Sequence, residues 1–309
     1  MVMLGVATTL TTHRVDAVEP SPADPSTRLS LTRNFSIYEL ATIGGVGVAS
    51  VVLAAAGTHI FGQPSPSLGA PAPNSFDHEW SDRLHFDDGS GHRFLWGVPD
   101  HAGLYVLPYT PLVVYGVDAI AFHRSGEGWL SSDPNADHRF AAYAEAIGWT
   151  MLVTNVTKFV VGRERPYVVL EHPELAGPTR ESRLSFFSGH SAATFATASF
   201  VSMDISRRLS SGWLASASPL ERWFQGTAIP YATAFGVASL VGVSRVIDQQ
   251  HWATDVLIGA TVGTSLSRVV YVSHFDEQGN PRSRRAPSGW EWPRVLPTRN
   301  GISVSGSLP

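Results

Sequence analysis

Long apolar stretches separated by polar segments organise this chain. The first runs from Ile37 to Phe61, and residues 42–57 within it carry no charge. Five more follow at Ala102–Phe122, Phe140–Val161, His190–Ile205, Gly226–Val243 and Trp252–Val272. A helix rises about 1.5 Å per residue, so the roughly 30 Å hydrocarbon core of a bilayer needs about 20 apolar residues. The pattern therefore predicts an all-α fold, a six-helix bundle embedded in a membrane. Gly44, Gly45, Gly47, Ala49 and Ser50 suit close helix contact in lipid. Asp118 and Glu145 interrupt the second and third stretches. A charge at mid-bilayer costs about 2.5–3.5 kcal/mol, so both are expected to face the bundle.

The polar segments read as follows. Residues 1–35 have no periodicity, and Pro20, Pro22 and Pro25 predict a flexible tail. Met1–Ala7 is apolar but lacks the basic flank of a signal segment. Residues 62–101 carry six acids against Arg83 and Arg93, and read as a solvated loop. Its histidines 78, 85, 92 and 101 match no metal-ligand spacing. Residues 274–309 hold Arg282, Arg284, Arg285, Arg294 and Arg299 without periodicity, a basic tail expected to lack regular structure. The folded helical domain is then 36–273.

Composition agrees with a membrane. Charged residues are 16% of the chain, against about 25% in soluble proteins. The net charge of −4 gives no basis for a nucleic-acid partner. There is no cysteine to form a disulfide. Arg207, Arg208 and Arg222 lie between the fourth and fifth stretches, and basic segments mark the cytoplasmic side. Alternation across six spans then places the 62–101 loop, the Lys158–Ser188 segment and Ser244–His251 together on the opposite, extracytoplasmic face.

Those last two segments carry the candidate chemistry. His251 and Asp255 are four residues apart, a spacing that shares one helix face, so the carboxylate is expected to hold one ring nitrogen protonated. The other nitrogen keeps its lone pair for attack. Arg245 offers a planar fork for phosphate oxygens. Lys158 and Arg165 are seven residues apart, about two helical turns, and are expected to point at one site. Ser188-Gly189-His190 opens a run of small residues that reads as a helix start, where free N–H groups bind anions. His190 is suited to protonating a leaving group.

Lys158-x6-Arg165-Pro166, then Ser188-Gly189-His190, then Ser244-Arg245-x5-His251-x3-Asp255 resembles the type 2 phosphatidic acid phosphatase superfamily, over about a third of the chain. The family usually has proline before Ser-Gly-His, and here Phe187 stands there. The resemblance implies that His251 is the nucleophile and forms a phosphohistidine, with Asp255 orienting it. It implies His190 as general acid and then base. Lys158, Arg165, Ser188, Gly189 and Arg245 would hold the phosphate. No metal or other cofactor is implied. The expected partners are membrane lipids and a lipid phosphate substrate, such as phosphatidate, phosphatidylglycerol phosphate, polyprenyl diphosphate or a lipid A phosphate. The expected setting is a bacterial inner membrane with the site facing the periplasm. The competing readings are a soluble or periplasmic acid phosphatase, a vanadate-dependent haloperoxidase and a lipid phosphotransferase.

Overall fold

The computed structural model describes residues 37–62, 72–85, 103, 106–125, 135–170, 181–282, 294–298 and 301–305. The tail expected over residues 1–35 lies outside the described residues. The elements are α1 (Ile37–Phe61), α2 (Ser75–Leu84), α3 (Leu107–Ser125), α4 (Ala136–Val161), α5 (Pro166–Val169), α6 (Gly189–Ser211), α7 (Pro219–Trp223), α8 (Ile229–Ile247) and α9 (Ala253–His274). Strands β1 (Arg294–Thr298) and β2 (Gly301–Ser305) follow. The six apolar stretches coincide with α1, α3, α4, α6, α8 and α9, each of 19 residues or more.

α6 is the hub, with α8 and α9 lying along it and α3 and α4 touching it. Because its neighbours shield it, α6 can be built of small and hydroxyl residues. Ser191, Ala192, Thr194, Ala196, Ser199, Ser202 and Ser206 are all buried. Among the described residues, three helical segments are long and apolar enough to cross a membrane: Glu39–Phe61, Pro219–Ile247 and Ala253–His274. α1 packs on α4 at the edge of the bundle, where the Ser50 hydroxyl donates to the Gly148 carbonyl at 3.0 Å. The outward side of α1 leaves Val48, Val51, Ile60 and Phe61 exposed, an apolar surface suited to lipid. Asp118 is buried, and Glu145 Oε2 lies 2.8 Å from His274 Nε2, so both polar side chains turn into the protein as expected.

The α6–α9 contact is closer than ordinary helix packing. A Cβ at Gly259 would stand 2.6 Å from the Ser188 carbonyl oxygen, and one at Gly263 would stand 2.0 Å from that of Ala192. One turn further on, the Ser267 hydroxyl donates to the Ala196 carbonyl at 2.7 Å. Residues four apart on each helix thus form a seam of small side chains, which lets the backbones nearly touch. That seam holds the N-termini of α6 and α9 side by side.

The far end of the bundle is tied differently. Tyr143, Phe200, Tyr271 and Phe275 pack edge to face around Phe200. Beside them the buried Asp204 pairs with Arg139 and accepts the Tyr115 hydroxyl at 3.1 Å.

Two expectations need correcting. Within the 62–101 segment, read as a solvated loop, residues 75–84 fold as α2 and dock on α8 and α9, with Asp77 and Ser81 buried. The tail is not devoid of regular structure: β1 pairs antiparallel with β2, Thr298 opposite Gly301. Both were hidden by a polar composition that resembles solvated chain.

Candidate functional site

The site lies where α4 ends, α6 begins, α8 ends and α9 begins. α4 stops at Gly162, which adopts φ 63° and returns its N–H to the Lys158 carbonyl at 3.0 Å. That left-handed turn, which glycine adopts without strain, redirects the chain. Lys158 therefore stays in the last helical turn, while Arg165 lies beyond it. The two-turn spacing expected from the sequence does not apply, although both side chains still reach the same place. Arg165 is buried, donating to Gln250 Oε1 at 2.6 Å and to Glu181 Oε2 at 2.9 Å.

Ser188 is the N-cap of α6, its hydroxyl accepting from the Ser191 N–H at 3.3 Å. Gly189 is the first helical residue. A side chain there would stand 3.6 Å from Lys158 Nζ, so the lysine ammonium and the helix N-terminus already share one space. His190 is half-buried at the next position, its Cδ2 near Gly103.

Arg245 is buried at the end of α8, with Nη2 donating to Asp248 Oδ2 at 2.8 Å. Its carbonyl accepts the N–H groups of Gln250 and His251 at 3.0 and 3.1 Å, which curls the chain into a tight turn. Gln249 carries φ 54° in that turn, an uncommon value for a side-chain-bearing residue.

His251 is 2% exposed. Its Nδ1 lies 2.8 Å from the Ser185 carbonyl and 3.9 Å from Asp255 Oδ2. The partner at hydrogen-bond distance is thus a backbone carbonyl, and the carboxylate expected from the i,i+4 spacing stands at ion-pair distance from the same nitrogen. The reason is local: α9 starts at Ala253, so residue 251 is not on the helix and shares no face with Asp255. Burial, followed by the charges of Arg165, Lys158 and Arg245, pushes the His251 pKa well below its usual value. A neutral ring with Nδ1–H donated to a carbonyl leaves Nε2 unprotonated, with its lone pair available.

Asp255 is fully buried and heavily used. It accepts from Arg163 Nη1 at 2.5 Å, from the Ser185 hydroxyl at 2.5 Å and from the Trp252 N–H at 3.1 Å. It therefore reaches His251 through Ser185. The second motif is tied to the third by the Ser188 N–H donating to the Asp255 carbonyl at 3.1 Å. The first is tied to the third by the Trp252 indole donating to the Glu164 carbonyl at 2.9 Å.

Several residues of this assembly carried no role in the sequence reading. Arg163 links Asp255 to Asp77, Nη2 donating to Asp77 Oδ2 at 2.7 Å. Asp248, Ser185 and Gln250 hold Arg245, His251 and Arg165 respectively. Asp77 and Ser81 come from α2. A signal for α2 was present: Asn74 and Asp77, three apart, form a reciprocal capping box.

The sequence profile of the PAP2 superfamily matches residues 139–278, which include every motif position. The match covers slightly less than half of the chain. A PA-phosphatase related-family protein of Dictyostelium discoideum is 28% identical over 220 residues, covering 68% of this chain and 76% of that protein. Phospholipid phosphatase 1 of Rattus norvegicus is 28% identical over 171 residues, covering 45% of this chain and 56% of the rat protein. The chain thus spans about half the length of the mammalian relatives it matches. A crystal structure of a transmembrane PAP2-type phosphatidylglycerolphosphate phosphatase from Bacillus subtilis superposes with a TM-score of 0.43 at 21% identity, over 74% of this chain and 93% of that one. Among the described residues, the three helices of bilayer length and apolar composition are those of an integral membrane protein.

Proposed function

We propose that this PAP2 protein is a metal-independent lipid phosphate phosphatase working through a phosphohistidine on His251. The observation that carries the reading is the buried His251, its Nδ1 fixed on the Ser185 carbonyl; burial, then the charges of Arg165, Lys158 and Arg245, lowers its pKa and favours the neutral ring.

The phosphate is held by Lys158, Arg165 and Arg245, with Ser188 and the Gly189 N–H at the start of α6. These cations and amides are fixed before reaction, so they stabilise the charge of the transferring phosphoryl group without reorganising. His251 Nε2 attacks phosphorus, and the bond to the alcohol oxygen breaks as His190 gives that oxygen a proton. Water, deprotonated by His190, then cleaves the phosphorus–nitrogen bond and restores the imidazole. Acid–base help of this kind is worth about 10²–10⁴-fold.

The relatives named as phospholipid phosphatases support a lipid substrate. So does a groove of about 310 Å³ lined by Phe195, Phe235, Ala260 and Thr264, which lies between helices of bilayer length and suits an alkyl chain. In this reading all six long helices span the membrane, and the site faces away from the basic cytoplasmic end, in a bacterial cell toward the periplasm.

The test is release of inorganic phosphate from a panel of lipid phosphates by purified protein in detergent. His251→Ala should abolish release while orthovanadate still binds, with reduced affinity. Full turnover by that variant would end the proposal. Transfer of phosphate to a second lipid, without free phosphate, would mark a phosphotransferase.

A further inference from the structure

α2 lies outside the PAP2 match and carries none of its motifs, yet it grips the His251 turn at two points. Asp77 is 0% exposed, although it sits in a segment of solvated composition. Its Oδ2 accepts from Arg163 Nη2 at 2.7 Å, and its Oδ1 accepts from the Thr254 N–H and hydroxyl at 2.9 and 2.8 Å. One turn along, Ser81 and Gln249 exchange two hydrogen bonds. The Ser81 hydroxyl donates to Gln249 Oε1 at 2.6 Å, and Gln249 Nε2 donates to the Ser81 carbonyl at 3.1 Å. Gln249 is the residue held at φ 54°, two positions before His251.

From this we infer that Asp77 and Ser81 are positioning residues: α2 is a clasp that sets where His251 stands relative to the bound phosphate. The contacts form a continuous series. Asp77 fixes Arg163, Arg163 fixes Asp255, and Asp255 holds the Ser185 hydroxyl. Ser185 in turn holds His251 Nδ1. Ser81 acts by a second route, through Gln249 and the turn itself. Arg163 faces two carboxylates, so it is shared between Asp77 and Asp255. Without Asp77 the guanidinium would be drawn wholly to Asp255, and the Ser185 hydroxyl would lose its fixed acceptor. Arg165 is held by Gln250 and Glu181, and Arg245 by Asp248, all outside α2. The clasp should therefore govern the attack of His251 and leave phosphate binding in place. This inference rests on the phosphohistidine reading.

The experiment compares Asp77→Asn, Asp77→Glu and Ser81→Ala with the parent protein, in detergent, on one lipid phosphate. The number of competent sites is normalised by orthovanadate binding. Asp77→Asn should lower kcat about 10–100-fold, the range a small misplacement of a reacting group produces. KM and orthovanadate affinity should stay within about twofold, and Asp77→Glu should recover part of the rate. Ser81→Ala should act in the same direction and more weakly. An unchanged kcat per vanadate-binding site in both Asp77→Asn and Ser81→Ala would overturn the clasp. Parallel loss of kcat and vanadate affinity would also overturn it, because that pattern belongs to general disruption. If Asp77→Asn yields no folded protein, Ser81→Ala decides alone: lower kcat at constant KM supports the clasp, and parental kcat overturns it. A parent protein that releases no phosphate from any substrate would instead overturn the phosphatase reading.

Discussion

His251 sits among three cations and is almost sealed from water, and both conditions oppose protonating it. In an unfolded chain its pKa would be about 6.5. As pH falls below that value, the unfolded chain takes up a proton that the folded protein refuses, so folding stability is lost toward acid. Thermal unfolding in detergent between about pH 7.5 and about pH 5 should show a smaller acid loss for His251→Gln than for the parent. An equal loss in both proteins would mean that the ring protonates freely in place. At this scale the convergence of Lys158, Arg165 and Arg245 on His251, with Lys158 beside the Ser188-Gly189 start of α6, was legible in the motif residues. The orienting partner of His251 was not. The spacing to Asp255 was sound for a helix, but the helix begins two residues after His251. Nor could the partner of Arg163 be read, because Asp77 lies 86 residues away in the chain.

Helices were legible for a different reason: burying an apolar side chain of a long helix needs many apolar residues in a row, and such runs survive any neighbour. α1, α3, α4, α6, α8 and α9 all announced themselves this way. α2 did not, since it is ten residues long, and its buried positions are the polar Asp77 and Ser81. The small-residue seam of α6 and α9 is also quiet in sequence, because glycine and serine every fourth residue are common in membrane helices. Its cost of disruption is specific. Alanine normally improves a helix over glycine by about 0.8–1.0 kcal/mol. Gly236→Ala on α8, where a Cβ meets nothing within 4 Å, should therefore keep or raise the melting temperature in detergent. Gly263→Ala should lower it, because its Cβ would meet the Ala192 carbonyl at 2.0 Å, and overpacking typically costs about 1–3 kcal/mol. Equal melting temperatures for the two variants would show that the helices separate without penalty.

The whole molecule has two chemically distinct ends. One gathers the three motifs and α2, and the other gathers Arg139, Asp204, Arg207 and the turn after α9, where Arg207 donates to the Asp276 carbonyl. In the proposed topology the second end faces the cytoplasm. The absence of cysteine makes this simple to test, since each introduced thiol is alone. In intact cells an impermeant thiol reagent should label Arg83→Cys and should spare Trp213→Cys and Glu277→Cys until the membrane is opened. The reverse pattern would invert the topology. The clasp also bears on how much of the chain must be kept for the protein to work. A fragment trimmed to begin at Asn135 would retain every residue of the three motifs. It would also strand Arg163 with one carboxylate where the intact chain supplies two, so preserving the signature would not preserve the tool.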